Sequence, residues 1–184
     1  MPSASHPAHQ RVQDAAERKG VTLEIVLFSE STHTAADAAA AVGAELGQIV
    51  KSLVFVASTE HGLDAVVALT SGSNRVDIAR LAAIVGLPGL RRANAQEAAE
   101  ATGFVIGGIP PFGHGRPLRV VMDPDLGRWT MVWAAAGTPN AVFRVPPGTL
   151  RILANAIVAP FADESESSRR YQPGSGRAPA SSGA

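Results

Sequence analysis

The chain has 184 residues, 46% of them hydrophobic and 17% charged, a globular composition long enough for one domain with a real core and too short for two. Net charge is zero and there is no cysteine, which excludes disulfides, thiolate nucleophiles and cysteine zinc sites and fits a reducing compartment such as the cytoplasm. The longest apolar runs, 35–42 and 49–57, fall short of a membrane span, and no basic segment followed by an apolar run opens the chain, so neither membrane anchor nor secretory signal is expected.

Residues 1–10 are short and polar and read as a disordered N-terminus. Arg11 to Lys19 reads as a helix stopped at Gly20, and Leu23 to Phe28 as a strand. Thr34 with Asp37 three residues on forms a capping-box pattern at the start of an Ala-rich helix that stops at Gly43. Ile49–Ala57 and Leu63–Thr70 read as neighbouring strands joined by the polar segment Ser58 to Gly62. Asp77 to Val85 reads as a helix stopped by Gly86 and Pro88, and Asn94 caps a second helix running to Thr102 with Gly103 at its end. A Gly/Pro-rich loop, Gly107 to Gly115, follows. Leu118–Met122, Thr130–Ala135 and Ala141–Val145 read as strands, the first two separated by a turn at Asp123 to Gly127, and Gly148–Asn155 reads as a closing helix. From residue 164 the chain turns to Ser, Gly, Pro, Ala and Arg and reads as a disordered tail. Residues 11–163 are therefore expected to form one α/β domain of the α+β kind, with a mixed, largely antiparallel central sheet flanked by helices.

Charge is unevenly spread. Residues 1–74 carry four basic and eight acidic side chains, whereas 75–151 carry nine arginines and five acids. Such an excess can favour a phosphate backbone, and a solvated surface is the plain alternative. There is no Gly-x-Ser-x-Gly elbow, Walker loop or His-Glu-x-x-His helix, and the histidines are too scattered to suggest a metal site.

Two features remain. Lys51, one of two lysines beside fourteen arginines, sits in the apolar strand Ile49-Val50-Lys51-Ser52-Leu53-Val54-Phe55, where a charge is costly unless it has a partner or a task. An ammonium there can meet a phosphate, a hydroxyl or a polarised carbonyl; otherwise it is a strand-end lysine reaching solvent. The loop Gly107-Gly108-Ile109-Pro110-Pro111-Phe112-Gly113 combines unshielded backbone N–H groups with a stiffened chain. It can hold amide donors where charge develops on a carbonyl oxygen, or it is an ordinary connector.

Together and in order, these segments resemble the YbaK/prolyl-tRNA editing domain family from Glu24 to Asp163. The resemblance is carried by Thr34, by Gly47 to Phe55, by Gly72 with Arg75-Val76-Asp77 and Leu81-Ala82, by Thr102 to Gly113, and by Ala136-Gly137. It implies a compact α/β fold and removal of wrongly attached amino acids from tRNA, classically tRNA for proline. It implies neither metal nor cofactor. The expected protein acts in trans on mischarged tRNA, as monomer or homodimer, with prolyl-tRNA synthetase or an elongation factor as further partners. Lys51 matches the family's critical lysine, and Gly107 to Pro111 matches the loop framing the reactive ester. On this resemblance Lys51, Gly107 and Gly108 are the candidate catalytic residues. Phe28, Thr34, Ile49, Ile109, Pro111, Phe112 and Gly137 are candidates for binding the aminoacyl group, and Arg75, Arg80 and Arg116 for tRNA. Members that remove cysteine carry a tyrosine at the position of Phe28 and an acid at that of Val142, so alanine, serine or another small residue stays open as the substrate. A non-catalytic tRNA- or synthetase-binding module, a hydrolase of another acyl ester and a small metabolite-binding regulatory domain are the competing readings.

Overall fold

The computed structural model describes residues 6–163; the expected disorder of residues 1–5 and of the 164–184 tail lies outside them. Helix α1, Pro7–Glu17, starts four residues earlier than expected. Pro7 supplies a preset φ at the first turn, and His6 caps it, its Nδ1 accepting from Ala8 N–H at 3.1 Å. Its buried face repeats as Ala8, Val12 and Ala16, one residue per turn. Strand β1 is Ile25–Leu27, and α2, Ala35–Val42, begins with the expected capping box between Thr34 and Asp37. The long hairpin β2, Val50–Thr59, and β3, Gly62–Ser71, follows. Next come β4 (Arg75–Val76), α3 (Ile78–Val85), β5 (Arg91–Arg92) and α4 (Ala95–Thr102). The C-terminal part holds β6 (Arg119–Met122), β7 (Val132–Ala135), β8 (Ala141–Val145), α5 (Pro147–Ala154), β9 (Ile157–Val158) and β10 (Ala162–Asp163). The expected turn at Asp123 is a 3₁₀ helix, Pro124–Arg128, because the Asp123 carboxylate accepts from Asp125 N–H at 3.0 Å and starts it.

The strands form a five-stranded sheet, β5-β2-β3-β6-β9, a three-stranded antiparallel sheet, β1-β8-β7, and the small pair β10-β4. The five-stranded sheet is mixed: β2 and β3 pair antiparallel in register from Val50↔Ser71 to Thr59↔Gly62, while β6 and β9 join in parallel. The parallel addition follows from the connection, since the chain from β3 to β6 carries α3 and α4 and returns in the same direction.

Both faces of this sheet are covered, so β2 reads as a continuous apolar run. Val54 and Val56 face a large core with Phe104, Phe112 and Phe143; Phe55 and Ala57 face a smaller one with Leu81 and Phe161. Each fully buried phenylalanine contributes about 1.5–3 kcal/mol over the exposed state.

Candidate active site

Strand β2 is paired with β3 along its whole length, but on its other side it meets β5 only at Phe55 and Val56 and β7 only through a bridge between Ile49 and Trp133. Residues 50–53 are an open edge. The Val54 carbonyl points that way, accepting from Ala93 N–H at 3.0 Å, so by the alternation of an antiparallel ladder Ser52 and Val50 turn their backbone groups to the same side. A pocket of about 340 Å³ lies against this edge, within the usual size of a small-molecule site. Its walls come from the β2 edge, from Thr34 and Ala35 at the start of α2, from Trp133 to Ala135, and from Ile106, Gly107 and Ile109 of the glycine loop.

Lys51 lines this pocket and is half-buried. Its ammonium donates to the Asn74 carbonyl oxygen. Asn74 is itself fixed from below: its side-chain amide donates to Asp123 Oδ2 at 2.9 Å and to Asp125 Oδ2 at 2.8 Å. The buried Asp123 carboxylate also accepts from Ser71 N–H at 3.1 Å. The lysine is thus aimed by a backbone carbonyl whose residue is anchored on two carboxylates. Burial pushes the Lys51 pKa below the ordinary lysine value; the Asp123 carboxylate opposes that shift, and Arg75 and Arg92 reinforce it. Arg92 also lines the pocket, its guanidinium 5.4 Å from the Phe55 ring centre, and it forms no ion pair among the described residues, whereas its neighbour Arg91 is held by Glu97 in a two-point pair at 2.7 and 2.9 Å. The pocket lining therefore includes two cations, Lys51 and Arg92, and no carboxylate, an arrangement suited to an anion such as phosphate.

The glycine loop supplies the opposite wall. Gly107 has φ 90°, a left-handed conformation, and it lines the pocket. Gly108 is buried against the β7–β8 turn: a Cβ on it would lie 2.6 Å from the Thr138 Cα. Its N–H is engaged, donating to the Val105 carbonyl at 3.1 Å, so of the two amides Gly107 is the one left to face a ligand. Among the described residues no group of three or more His, Cys, Asp or Glu is placed to hold a metal ion.

Lys51, Thr34, Ile49, Gly107 and Ile109 come together as pocket-lining residues, together with Val142. The Thr34 hydroxyl caps α2, accepting from Asp37 N–H at 3.1 Å, and keeps its own O–H proton to donate. Phe28, Pro111, Phe112 and Gly137 do not line the pocket. Phe112 is a core residue, its ring centre 5.6 Å from that of Phe143, and Gly137 packs on Ala8, where a Cβ would meet the carbonyl oxygen at 2.9 Å. Phe28 instead fixes the 28–34 segment, its N–H donating to the Asn140 carbonyl at 2.8 Å. Arg75 is exposed near Lys51, Arg80 is paired with Asp77 at 3.3 Å, and Arg116 lies in a separate groove beside Glu97 and Glu100. The residues that sequence reasoning missed are Asn74, Asp123 and Asp125. Their signal is a polar run directly after an apolar strand, at 71–74 and at 123–125, but the parallel pairing of β3 with β6 is what brings the two runs together.

A family model described as "Aminoacyl-tRNA editing domain" matches residues 29–153, more than half of the chain. Among curated proteins, the chain is 34% identical over 124 residues to the multifunctional Ser/Thr-tRNA deacylase ProXp-y of Escherichia coli K12, covering 64% of this chain and 70% of that protein. It is 32% identical over 123 residues to the proline–tRNA ligase of Stenotrophomonas maltophilia K279a, of which it spans only 20%. A solved structure described as a candidate trans-editing enzyme for prolyl tRNA synthetase superposes with a TM-score of 0.79 at 48% identity, covering 88% of this chain and all of that one. With this match over most of its length and the mixed α/β domain it shares with that structure, the chain belongs to the aminoacyl-tRNA editing domain family.

Proposed function

We propose that the chain is a deacylase acting in trans on mischarged tRNA, hydrolysing the ester between a small amino acid and the terminal ribose, with tRNA for proline as the first candidate. The observation that carries this reading is the convergence of the Lys51 ammonium and the Gly107 backbone on one pocket of about 340 Å³. Water adds to the ester carbonyl, negative charge collects on its oxygen, and the ester C–O bond breaks to leave a free amino acid and the ribose hydroxyl. We assign the Gly107 amide to that oxygen, because Gly107 lines the pocket and preorganised donors lower the barrier most there. Lys51, with Arg92 beside it, holds the terminal nucleotide's phosphate or hydroxyl and so fixes the ester in the pocket.

Ile49, Val50, Val54, Ile109, Ala134 and Val142 give the chamber apolar walls. They select by exclusion of larger side chains, since one methylene alone discriminates by only about 1–3 kcal/mol. His33 and Lys51 are the lining side chains able to take up a proton; the role of positioning the water is assigned to the neighbouring ribose hydroxyl of the substrate. The site draws on no metal or cofactor, the cytoplasm is its place of work, and prolyl-tRNA synthetase is a natural partner.

A panel of mischarged tRNAs, incubated with the purified protein, tests the proposal. Release of a small amino acid such as alanine, serine or cysteine, undiminished by a chelator, is expected. No hydrolysis of any member favours a non-catalytic binding module instead, and strong inhibition by the chelator overturns the metal-free reading.

A further inference from the structure

The matched family segment begins at residue 29, so helix α1 lies outside it. Its contacts nonetheless converge on the glycine loop. At the end of α4, ahead of the loop, Arg11 donates to the Gly103 carbonyl at 2.6 Å, and its guanidinium stacks 4.1 Å from the Phe104 ring centre. At the loop's end Gly113 fits against Ala15 and the Arg11 carbonyl, where a Cβ would be 3.4 Å from each. Between these points α1 touches the loop through the turn at 137–140. Ala8 packs on Gly137, and the buried His9 meets Thr138 Oγ1 with Nε2 at 2.7 Å.

The hydrogen bonds around Thr138 have a fixed direction. The Thr138 hydroxyl donates its one proton to Asn140 Oδ1 at 2.8 Å, so His9 must donate through Nε2. Asn140 donates onward to the Phe28 carbonyl at 3.3 Å, and the Pro139 carbonyl accepts from both Thr32 N–H and Thr32 Oγ1 at 3.1 and 3.0 Å. The Thr138 backbone is the surface on which Gly108 rests, and Pro139 lies 3.5 Å from the place of a Gly107 Cβ. One short turn therefore sets both the glycine loop and the Thr32–Thr34 rim, and His9 is the side chain through which α1 holds it.

We infer that α1 is a working part of the active site and that His9 is a positioning residue: it fixes the 137–140 turn, and through that turn the Gly107 amide. The catalytic side of this inference rests on the deacylase reading above, and the structural side does not. A small displacement of a positioned donor can cost about 10²-fold in rate even when the change is remote.

The test compares His9→Ala, His9→Gln and Thr138→Val in the full chain, by amide hydrogen exchange and by deacylation kinetics. In His9→Ala, exchange is expected to quicken about tenfold or more across 105–109 and 137–140 and to stay unchanged across 50–71. The kcat is expected to fall roughly 10- to 100-fold, with KM within about twofold, because ground-state binding through Lys51 is untouched. Glutamine, which keeps an N–H donor, restores most of both. Thr138→Val reproduces the alanine effect and adds nothing to it in the double variant, as expected for two members of one contact; should His9→Ala fail to fold, this variant carries the comparison. Unchanged exchange at 105–109 in a folded His9→Ala protein, or glutamine as defective as alanine, overturns the inference. If the wild-type protein hydrolyses no member of the tRNA panel, the deacylase reading falls and the exchange arm still decides whether α1 holds the loop.

Discussion

On the β2 side of the pocket the proposed functional group is a side-chain ammonium, held by the polar chain of Asn74, Asp123 and Asp125; on the loop side it is a backbone amide, in a loop held by contact between Gly108 and the turn at Thr138. The first wall is electrostatic. Its strength depends on charges held in a half-buried setting, and it responds to pH and to single charges. The second is steric. It depends on the absence of a Cβ at one position, and it responds to added volume. A deacylase needs both, because one wall places the ester and the other meets the charge that forms on it.

The sharpest way to break the first wall is Lys51→Ala. Deacylation is expected to fall by about 10²-fold or more, as for loss of a preorganised electrostatic group. The melting temperature should barely move, since a half-buried charge is removed and no core is lost; wild-type rates in this variant would sink the mechanism. On the second wall Gly108→Ala adds a Cβ 2.6 Å from the Thr138 Cα. Backbone must move, with an expected cost of about 1–3 kcal/mol in stability and a fall in kcat from the displaced loop. A denaturation midpoint equal to that of the wild type would show that the contact is not tight.

Asp123→Asn probes the electrostatic wall more gently. Burial already holds the Lys51 pKa below its ordinary value of 10.5, and Asp123 opposes this. Removing the carboxylate charge lowers it further, so the protonated lysine is lost at a lower pH on the way up. The alkaline limb of the activity profile, corrected for spontaneous ester hydrolysis, should move to lower pH; no movement, or a rise, contradicts the role given to Asp123.

The smallest effect is expected at Glu97, in the capping box of α4 and outside the pocket lining. Its two-point pair with Arg91, and then the Asn94 N–H, lower its pKa from 4.5 to about 2. A depressed carboxylate stabilises the fold above its unfolded pKa and loses that contribution as pH falls from 4.5 towards 2. Glu97→Gln should therefore differ from wild type in melting temperature at neutral pH, with the gap closing across that window. An equal gap at pH 2 and pH 7 would assign the effect to packing rather than charge.

Much of the local structure was legible because it rests on local rules. The capping box at Thr34, the cap at Asn94, the helix from Asp77 to Val85 and the apolar β2–β3 hairpin stand where their signals lie, within a residue or two. The start of α1 was misjudged because polar residues 6–10 masked a His6 cap and a first-turn proline. The two-residue strands β4, β5, β9 and β10 carry no periodicity to read. Phe112 and Gly137 stood out in sequence beside functional residues, yet both serve packing, because a pocket wall and a core residue share the same apolar chemistry.

By itself the sequence determined the single domain, the order of its principal elements, the isolated lysine in an apolar strand and the glycine loop, since each depends on composition, periodicity or a residue type that few others can replace. Tertiary structure alone decided that β6 joins β3 in parallel and so sets Asp123 under Asn74 and Lys51. It decided that Gly108 rests on the Thr138 backbone, and that α1 and His9 press on the turn that holds the loop. The contacts of Lys51 with Asn74, of Asn74 with Asp123 and of His9 with Thr138 join residues 23 to 129 positions apart in the chain. They are fixed by the pairing of strands and the packing of helices, which no local pattern encodes.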